Sequence, residues 1–146
     1  MKNLIVLIFL ILGTIWDIKR KTVPVKYLVV WGIVSTAYVS FIGLGLKDVY
    51  SLQETLWGIL PGGICLFLAC VTKEQIGYGD GWIVMFVGML LGIKKVLFLL
   101  FAALIIVTFF SIVLLMSKKA ERKTTIPFIP FLLLGELVVS IVGGIL

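Results

Sequence analysis

The sequence contains no histidine, and this absence excludes several kinds of active site at once. Without histidine there is no Ser-His-Asp triad, no Cys-His pair and no histidine-ligated metal. Cysteine is scarce as well, because Cys65 and Cys70 are the only two and lie five positions apart in an apolar run. That spacing is neither a CxxC motif nor a zinc-ligand pattern, so we interpret both as small buried packing residues.

Charged residues make up only 14% of the 146 residues, whereas 62% are hydrophobic and the mean hydropathy is +1.25. A soluble domain would be about half apolar and about a quarter charged. The composition therefore predicts an all-α integral membrane protein, with residues 1–146 forming a single transmembrane domain. The net charge of +6 could suggest nucleic acid. The basic residues cluster between apolar stretches, however, so we expect them to face membrane lipid and predict no nucleic-acid partner.

Six apolar stretches predict a bundle of about six transmembrane helices. They cover approximately residues 4–16, 26–46, 55–71, 80–93, 96–116 and 127–146. A polar loop is expected over residues 47–54, and a turn is expected at Lys94-Lys95. The first stretch is as short as a secretory signal, but it ends in an acid and a basic cluster instead of a small-residue cleavage site. We interpret it as a retained span.

Lysine and arginine positions orient these spans. Nine of the thirteen fall on the side where the first span ends, and the others are Lys2, Lys47, Lys94 and Lys95. The positive-inside rule then places that end in the cytoplasm and both termini outside. The sequence thus predicts a multi-pass protein of the cell membrane.

Two aspartates stand out in this apolar chain. Asp80 lies among glycines in residues 76–82, and Asp17 ends the first span, just before the basic residues 19–21. An acid at membrane depth costs at least ~2.5 kcal/mol on insertion scales and is usually functional. Each has an ordinary explanation alone, since Asp80 could cap a helix and Asp17 could balance the nearby cations.

The two aspartates are expected at the same depth. Asp17 lies fifteen positions after Lys2, and Lys95 lies fifteen positions after Asp80, which is about 22 Å of helix in each case. Two carboxyls at one level can meet, and a shared site leaves one of them protonated. We expect Asp17, beside the cations, to be the charged base and Asp80 to be the protonated acid.

Glu136 is a third acid, near the middle of the last span. We expect it to face the bundle and to support the structure. An alternative function uses Asp17, Asp80 and Glu136 as a proton pathway in a small membrane carrier or assembly subunit. No further polar residues continue such a pathway across the outer half of the bundle, which disfavours this alternative.

Three motifs in order resemble one family. Residues 77–80 form a GxGD motif, Asp17 is followed by a basic cluster and Pro24, and Pro127 lies in a proline-containing segment that opens the last span. This combination is similar to type IV prepilin peptidases, which are intramembrane aspartic proteases. The resemblance implies removal of the leader from prepilins or pseudopilins at the cytoplasmic membrane face. It also implies a catalytic pair, Asp17 and Asp80, without cofactor or metal, and four supporting motif residues, which are Gly77, Gly79, Pro24 and Pro127.

The sequence departs from this family at two points. Trp82 stands where many members have lysine two residues after the GxGD aspartate. Larger members carry a cytoplasmic insertion with a cysteine zinc site and methylate the new amino terminus, and nothing in this sequence could hold that insertion. We therefore expect a peptidase without methyltransferase activity. Presenilin-like proteases also share GxGD, but their first aspartate follows tyrosine, whereas Asp17 follows Trp16.

Overall fold

The computed structural model describes residues 2–20, 23–46, 49–72, 77–116 and 127–145 of the chain. Within these ranges the chain is all-helical, as predicted, and forms six helices without any strand. They are α1 (Lys2–Arg20), α2 (Val25–Leu46), α3 (Val49–Val71), α4 (Tyr78–Leu91), α5 (Ile93–Met116) and α6 (Ile129–Ile145).

The helix bounds differ from the sequence prediction at two turns. Helix α3 already begins at Val49, inside the segment expected to be a polar loop. Helix α4 ends at Gly92, whose φ of 83° is the left-handed conformation that glycine adopts without strain, and whose N–H donates to the Gly88 carbonyl at 2.8 Å. The predicted turn at Lys94-Lys95 is therefore wrong, because a glycine rather than the charge of the lysines ends the helix. Both lysines lie exposed at the start of α5.

Two of the described helices are long and apolar enough to cross a membrane, over Gln53–Val71 in α3 and Ile93–Met116 in α5. Only 22% and 17% of the residues in their most apolar windows are buried, whereas the core helix of a soluble protein is mostly buried. Large apolar side chains such as Phe67 and Phe109 face outward from them. These two helices fit a membrane environment. The number of six transmembrane helices stays a prediction, since α2, α4 and α6 contribute shorter apolar segments.

Helix α4 lies at the centre of the bundle. It packs against α1, α2, α3 and α5, and most of its side chains are buried. A helix that is apolar all round, as α4 is, is expected in such a central position. Helix α6 packs against α1 and α5. The first residues of α4 and of α6 both approach the end of α1.

The closest packing in the bundle joins α3 to α4. A Cβ atom added to Gly58 would overlap the carbonyl of Gly88, and one added to Gly62 would overlap the backbone of Met85. The next residue, Gly63, has open space where its Cβ would lie. Small residues one helical turn apart thus bring the two backbones into direct contact, as in many membrane helix pairs.

Candidate active site

Asp80 lies in the first turn of α4. Gly77 is the N-cap residue in an extended conformation, and its carbonyl accepts the Asp80 N–H at 3.1 Å. The carboxyl group folds back over this turn, so that Oδ2 would lie 3.2 Å from a Cβ on Gly77. An acid in this position interacts favourably with the positive end of the helix dipole. The first glycine of the GxGD motif therefore leaves room for the aspartate itself.

The glycines on either side of Asp80 make room for other parts of the chain. A Cβ on Gly79 would lie 3.3 Å from Val23, in the segment between α1 and α2. A Cβ on Gly81 would lie 2.8 Å from the Leu66 side chain of α3. Both spaces are already filled by the protein, so these glycines hold Asp80 between two neighbouring segments.

Asp17 lies in the last turn of α1 and is only 6% exposed. Its Oδ2 accepts a hydrogen bond of 3.3 Å from the main-chain N–H of Ile129, the first residue of α6. These partners are 112 positions apart in the sequence. The end of α1 is therefore fixed to the beginning of α6 through the carboxyl group of Asp17.

Asp17 and Asp80 are brought close enough for the charge of Asp17 to act on the Asp80 carboxyl. The two aspartates that the sequence singled out therefore lie near each other, at the end of α1 and the beginning of α4, and their part in catalysis stays a prediction. A third group there was missed, because the thiol of Cys65 in α3 interacts electrostatically with Asp80. The sequence gives no sign of this interaction, because it depends on how α3 aligns with α4, where Leu66 faces Gly81. Cys70 lies exposed on the bundle surface, so its expected burial is wrong.

The two supporting prolines lie beside helix starts. The carbonyl of Pro24 accepts the N–H groups of Tyr27 at 2.9 Å and Leu28 at 3.3 Å, so this proline begins α2. Pro127 lies two residues before α6, whose first turn contains a further proline, Pro130. A supporting function of either motif residue in catalysis stays a prediction.

Helix α1 is anchored by α2 over the two turns before Asp17. The Tyr27 hydroxyl donates a hydrogen bond to the carbonyl of Phe9. A Cβ on Gly13 would lie 3.0 Å from that hydroxyl oxygen, so only glycine leaves this space free. The rings of Phe9 and Trp31 pack with centroids 4.7 Å apart. These contacts fix the position of α1 along its axis relative to α2, and therefore also the position of Asp17 near the end of α1.

Glu136 is fully buried in α6, as expected for a residue that faces the bundle. Its Oε1 accepts a hydrogen bond of 3.3 Å from the Ser140 hydroxyl, and Lys95 of α5 interacts with it electrostatically. The other carboxyl oxygen, Oε2, has no hydrogen-bond partner within the part of the chain that the structure describes. The contacts of Glu136 thus lie along α6 and towards α5.

Trp82 stands at the position where many type IV prepilin peptidases have lysine. Its side chain is 41% exposed and packs beside Phe86 with ring centroids 5.8 Å apart.

Among residues 2–20, 23–46, 49–72, 77–116 and 127–145, no three His, Cys, Asp or Glu side chains are grouped closely enough to hold a metal ion.

Comparison with known proteins identifies one family. The chain matches the sequence model of the type IV leader peptidase family over residues 4–112. The matched region includes α1 to α4 and most of α5, and it contains Asp17, Cys65 and Asp80. No curated protein and no solved structure matches the chain.

Proposed function

Because the chain belongs to the type IV leader peptidase family, we propose that it is an aspartic endopeptidase of the cell membrane that removes leader peptides from prepilins or pseudopilins. The observation that carries this proposal is that Asp17, at the end of α1, and Asp80, at the beginning of α4, lie near enough for the charge of one carboxyl to act on the other. Two carboxyls that share a site keep one proton between them, which is the state that aspartic proteolysis needs.

In the proposed reaction Asp17 is the charged base and Asp80 the protonated acid. A water oxygen attacks the carbonyl carbon of the scissile peptide while Asp17 takes a proton from that water. Asp80 donates its proton to the carbonyl oxygen, which gives a neutral tetrahedral diol. When the C–N bond breaks, Asp17 protonates the leaving nitrogen and a diol hydroxyl returns its proton to Asp80. Both carboxyls then have their starting charge.

The proposed orientation puts this site at the cytoplasmic face and both termini outside. Its support is the distribution of Lys and Arg residues, most of which lie on the side of Asp17 and Asp80. A prepilin is a suitable substrate because its apolar helix can lie in the membrane beside the bundle. Its leader would then reach the two aspartates from the cytoplasm.

Substitution of each aspartate tests the proposal. Purified wild-type protein in liposomes should convert a prepilin to its mature form, which mass spectrometry can identify. Asp17→Asn and Asp80→Asn should each lower the rate at least ~100-fold, because an amide cannot take part in the proton cycle. Glu136→Gln serves as the control for loss of an acid elsewhere in the bundle. Substantial cleavage by either aspartate variant would refute the proposed catalytic pair.

The buried Oε2 of Glu136, which has no hydrogen-bond partner among the described residues, favours a second candidate, a proton pathway through a small carrier or assembly subunit. This candidate predicts proton flux across liposomes without added prepilin. A pH-sensitive dye inside the vesicles would detect that flux, and Glu136→Gln should stop it. Absence of flux together with leader removal would exclude the carrier.

A further inference from the structure

We infer that the main-chain N–H of Ile129 is a positioning group of the active site, which holds the Asp17 carboxylate in the orientation and charge state of the base. This inference rests on the proposed function. It assigns a part in the site to α6, which lies beyond the region that matches the family.

The first turn of α6 leaves this single N–H available for Asp17. The first N–H groups of a helix have no partner within the helix. Pro130 has no N–H to offer. The carbonyl of Phe128 accepts the next two N–H groups at 3.0 and 3.2 Å, those of Phe131 and Leu132. Ile129 is thus the donor left over, and it points at Asp17 Oδ2.

This N–H bond favours the ionised form of Asp17 for two reasons. A hydrogen bond from an N–H is stronger when the acceptor is a carboxylate, and the start of a helix carries partial positive charge. Asp17 is 6% exposed, so little water is available to replace the donor. Lys19, which the sequence suggested as part of a stabilising cluster, is exposed.

The contact also fixes where the carboxylate points. Asp17 is near the end of its helix, where the backbone is least restrained, and the N–H of Ile129 connects it to a second helix. The Ile129 side chain is fully buried and lies close to Gly13, one turn before Asp17. Helix α6 therefore restrains the base through its first residue, while its own position is fixed by packing on α1 and α5.

The test compares Ile129→Pro with Ile129→Ala. Both variants shorten the buried side chain, but only proline removes the N–H, and proline is well tolerated at the first position of a helix. We expect kcat for leader removal to be about tenfold lower in the proline variant than in the alanine variant, as for loss of a hydrogen bond to a charged group. KM should agree within about twofold between them, because the lost contact acts on the base and not on the bound substrate.

A second variant removes the N–H and keeps the isoleucine side chain. Incorporation of the α-hydroxy analogue of isoleucine at position 129 replaces the amide by an ester. It also weakens the Phe128 carbonyl as an acceptor, so helicity and melting temperature are measured alongside. A lower kcat at unchanged helicity supports the inference, even if the proline variant fails to fold. Equal kcat values for the ester and wild-type proteins would overturn it. Failure of the wild-type protein to cut any prepilin would instead overturn the proposed function.

Discussion

The two aspartates reach the same site by different means. Asp80 is placed by steric fit, since glycines before and after it allow its own carboxyl, Val23 and Leu66 to lie close to the α4 backbone. The helix of Asp17 is held in place by the Tyr27 contacts, and its carboxyl is oriented by one polar contact with a residue 112 positions away. The orientation of Asp80 thus depends on the absence of side chains, and that of the Asp17 carboxyl depends on a single donor.

This difference predicts two kinds of response to mutation. Backbones in direct contact cannot absorb an added atom without moving apart, so changes on the Asp80 side should affect the whole bundle. Loss of one hydrogen bond leaves the packing in place, so changes on the Asp17 side should affect the rate more than the fold. The Ile129 variants described above test the Asp17 side, and the following experiments test the packing around Asp80 and the more distant Glu136, from the largest expected effect to the smallest.

The largest effect is expected from Gly62→Ala. The added methyl group would overlap the Met85 backbone and force α3 away from α4, so the variant should lose about 3 kcal/mol or more of stability together with its activity. The matched control is Gly63→Ala, the neighbouring residue with open space around its Cβ. That change should alter stability by no more than about 1 kcal/mol, since alanine is the better helix former. Similar melting temperatures for the two variants in detergent would disprove the tight α3–α4 contact.

The next largest effect concerns Cys65 beside Asp80. With Cys70→Ser as the background, reaction of Cys65 with N-ethylmaleimide should lower activity at least about tenfold, because a bulky group there displaces Asp80 or blocks the substrate. With Cys65→Ser as the background, the same treatment modifies the exposed Cys70 and should leave the activity of that variant unchanged. The measurement is the ratio of the cleavage rates with and without N-ethylmaleimide in each background. Equal inhibition through either cysteine would show that Cys65 does not lie on the Asp80 side of the site.

A smaller effect is expected from Gly79→Ala. The new methyl group would lie 3.3 Å from Val23, a tight contact with a side chain that can yield slightly. Activity should fall severalfold and stability by about 1 kcal/mol. Adding Val23→Gly, which removes both close atoms, Cβ and Cγ2, should restore part of both, and a double-mutant cycle measures this coupling. If the effects of the two changes are simply additive, the space at Gly79 is not needed to accommodate Val23.

The smallest effect is expected from Glu136→Gln. The amide keeps the shape of the side chain and can still accept the Ser140 hydroxyl, so most of the activity and expression should remain, within about twofold of wild type. Cleavage rates of variant and wild type measured on the same prepilin check this. A loss as complete as that of the aspartate variants would make Glu136 a third catalytic group.

The Asp80 half of the site is the more predictable from sequence. The sequence singled out Asp80 as an acid among glycines at the start of an apolar stretch, and in the structure it lies in the first turn of α4. The positions of the helices follow from the apolar stretches. The turn after α4, however, was predicted at Lys94 and Lys95, whereas it lies at Gly92. In that case a charge pattern was given more weight than the residue able to adopt a positive φ.

The Asp17 half could be predicted only in part. The depth of Asp17 follows from the length of its helix, but its hydrogen-bond donor does not. Ile129 contributes a main-chain N–H, which every residue except proline has, so its side chain gives no sign of this part in the site. Cys65 shows the same limit, because an ordinary apolar stretch becomes part of the site only through the alignment of two helices.

The shortness of α4 has a consequence for the supply of water. Its 14 residues extend about 21 Å, whereas the hydrocarbon layer of a bilayer is about 30 Å thick. Such hydrophobic mismatch is relieved when the bilayer thins around the short element. Tyr78 and Trp82, both 41% exposed, lie at the end of α4 that carries Asp80 and are suited to the level of the lipid headgroups. In the proposed membrane orientation, a dimple in the lipid there would bring bulk water to the end of α4 that carries Asp80, which is where the proposed hydrolysis needs it.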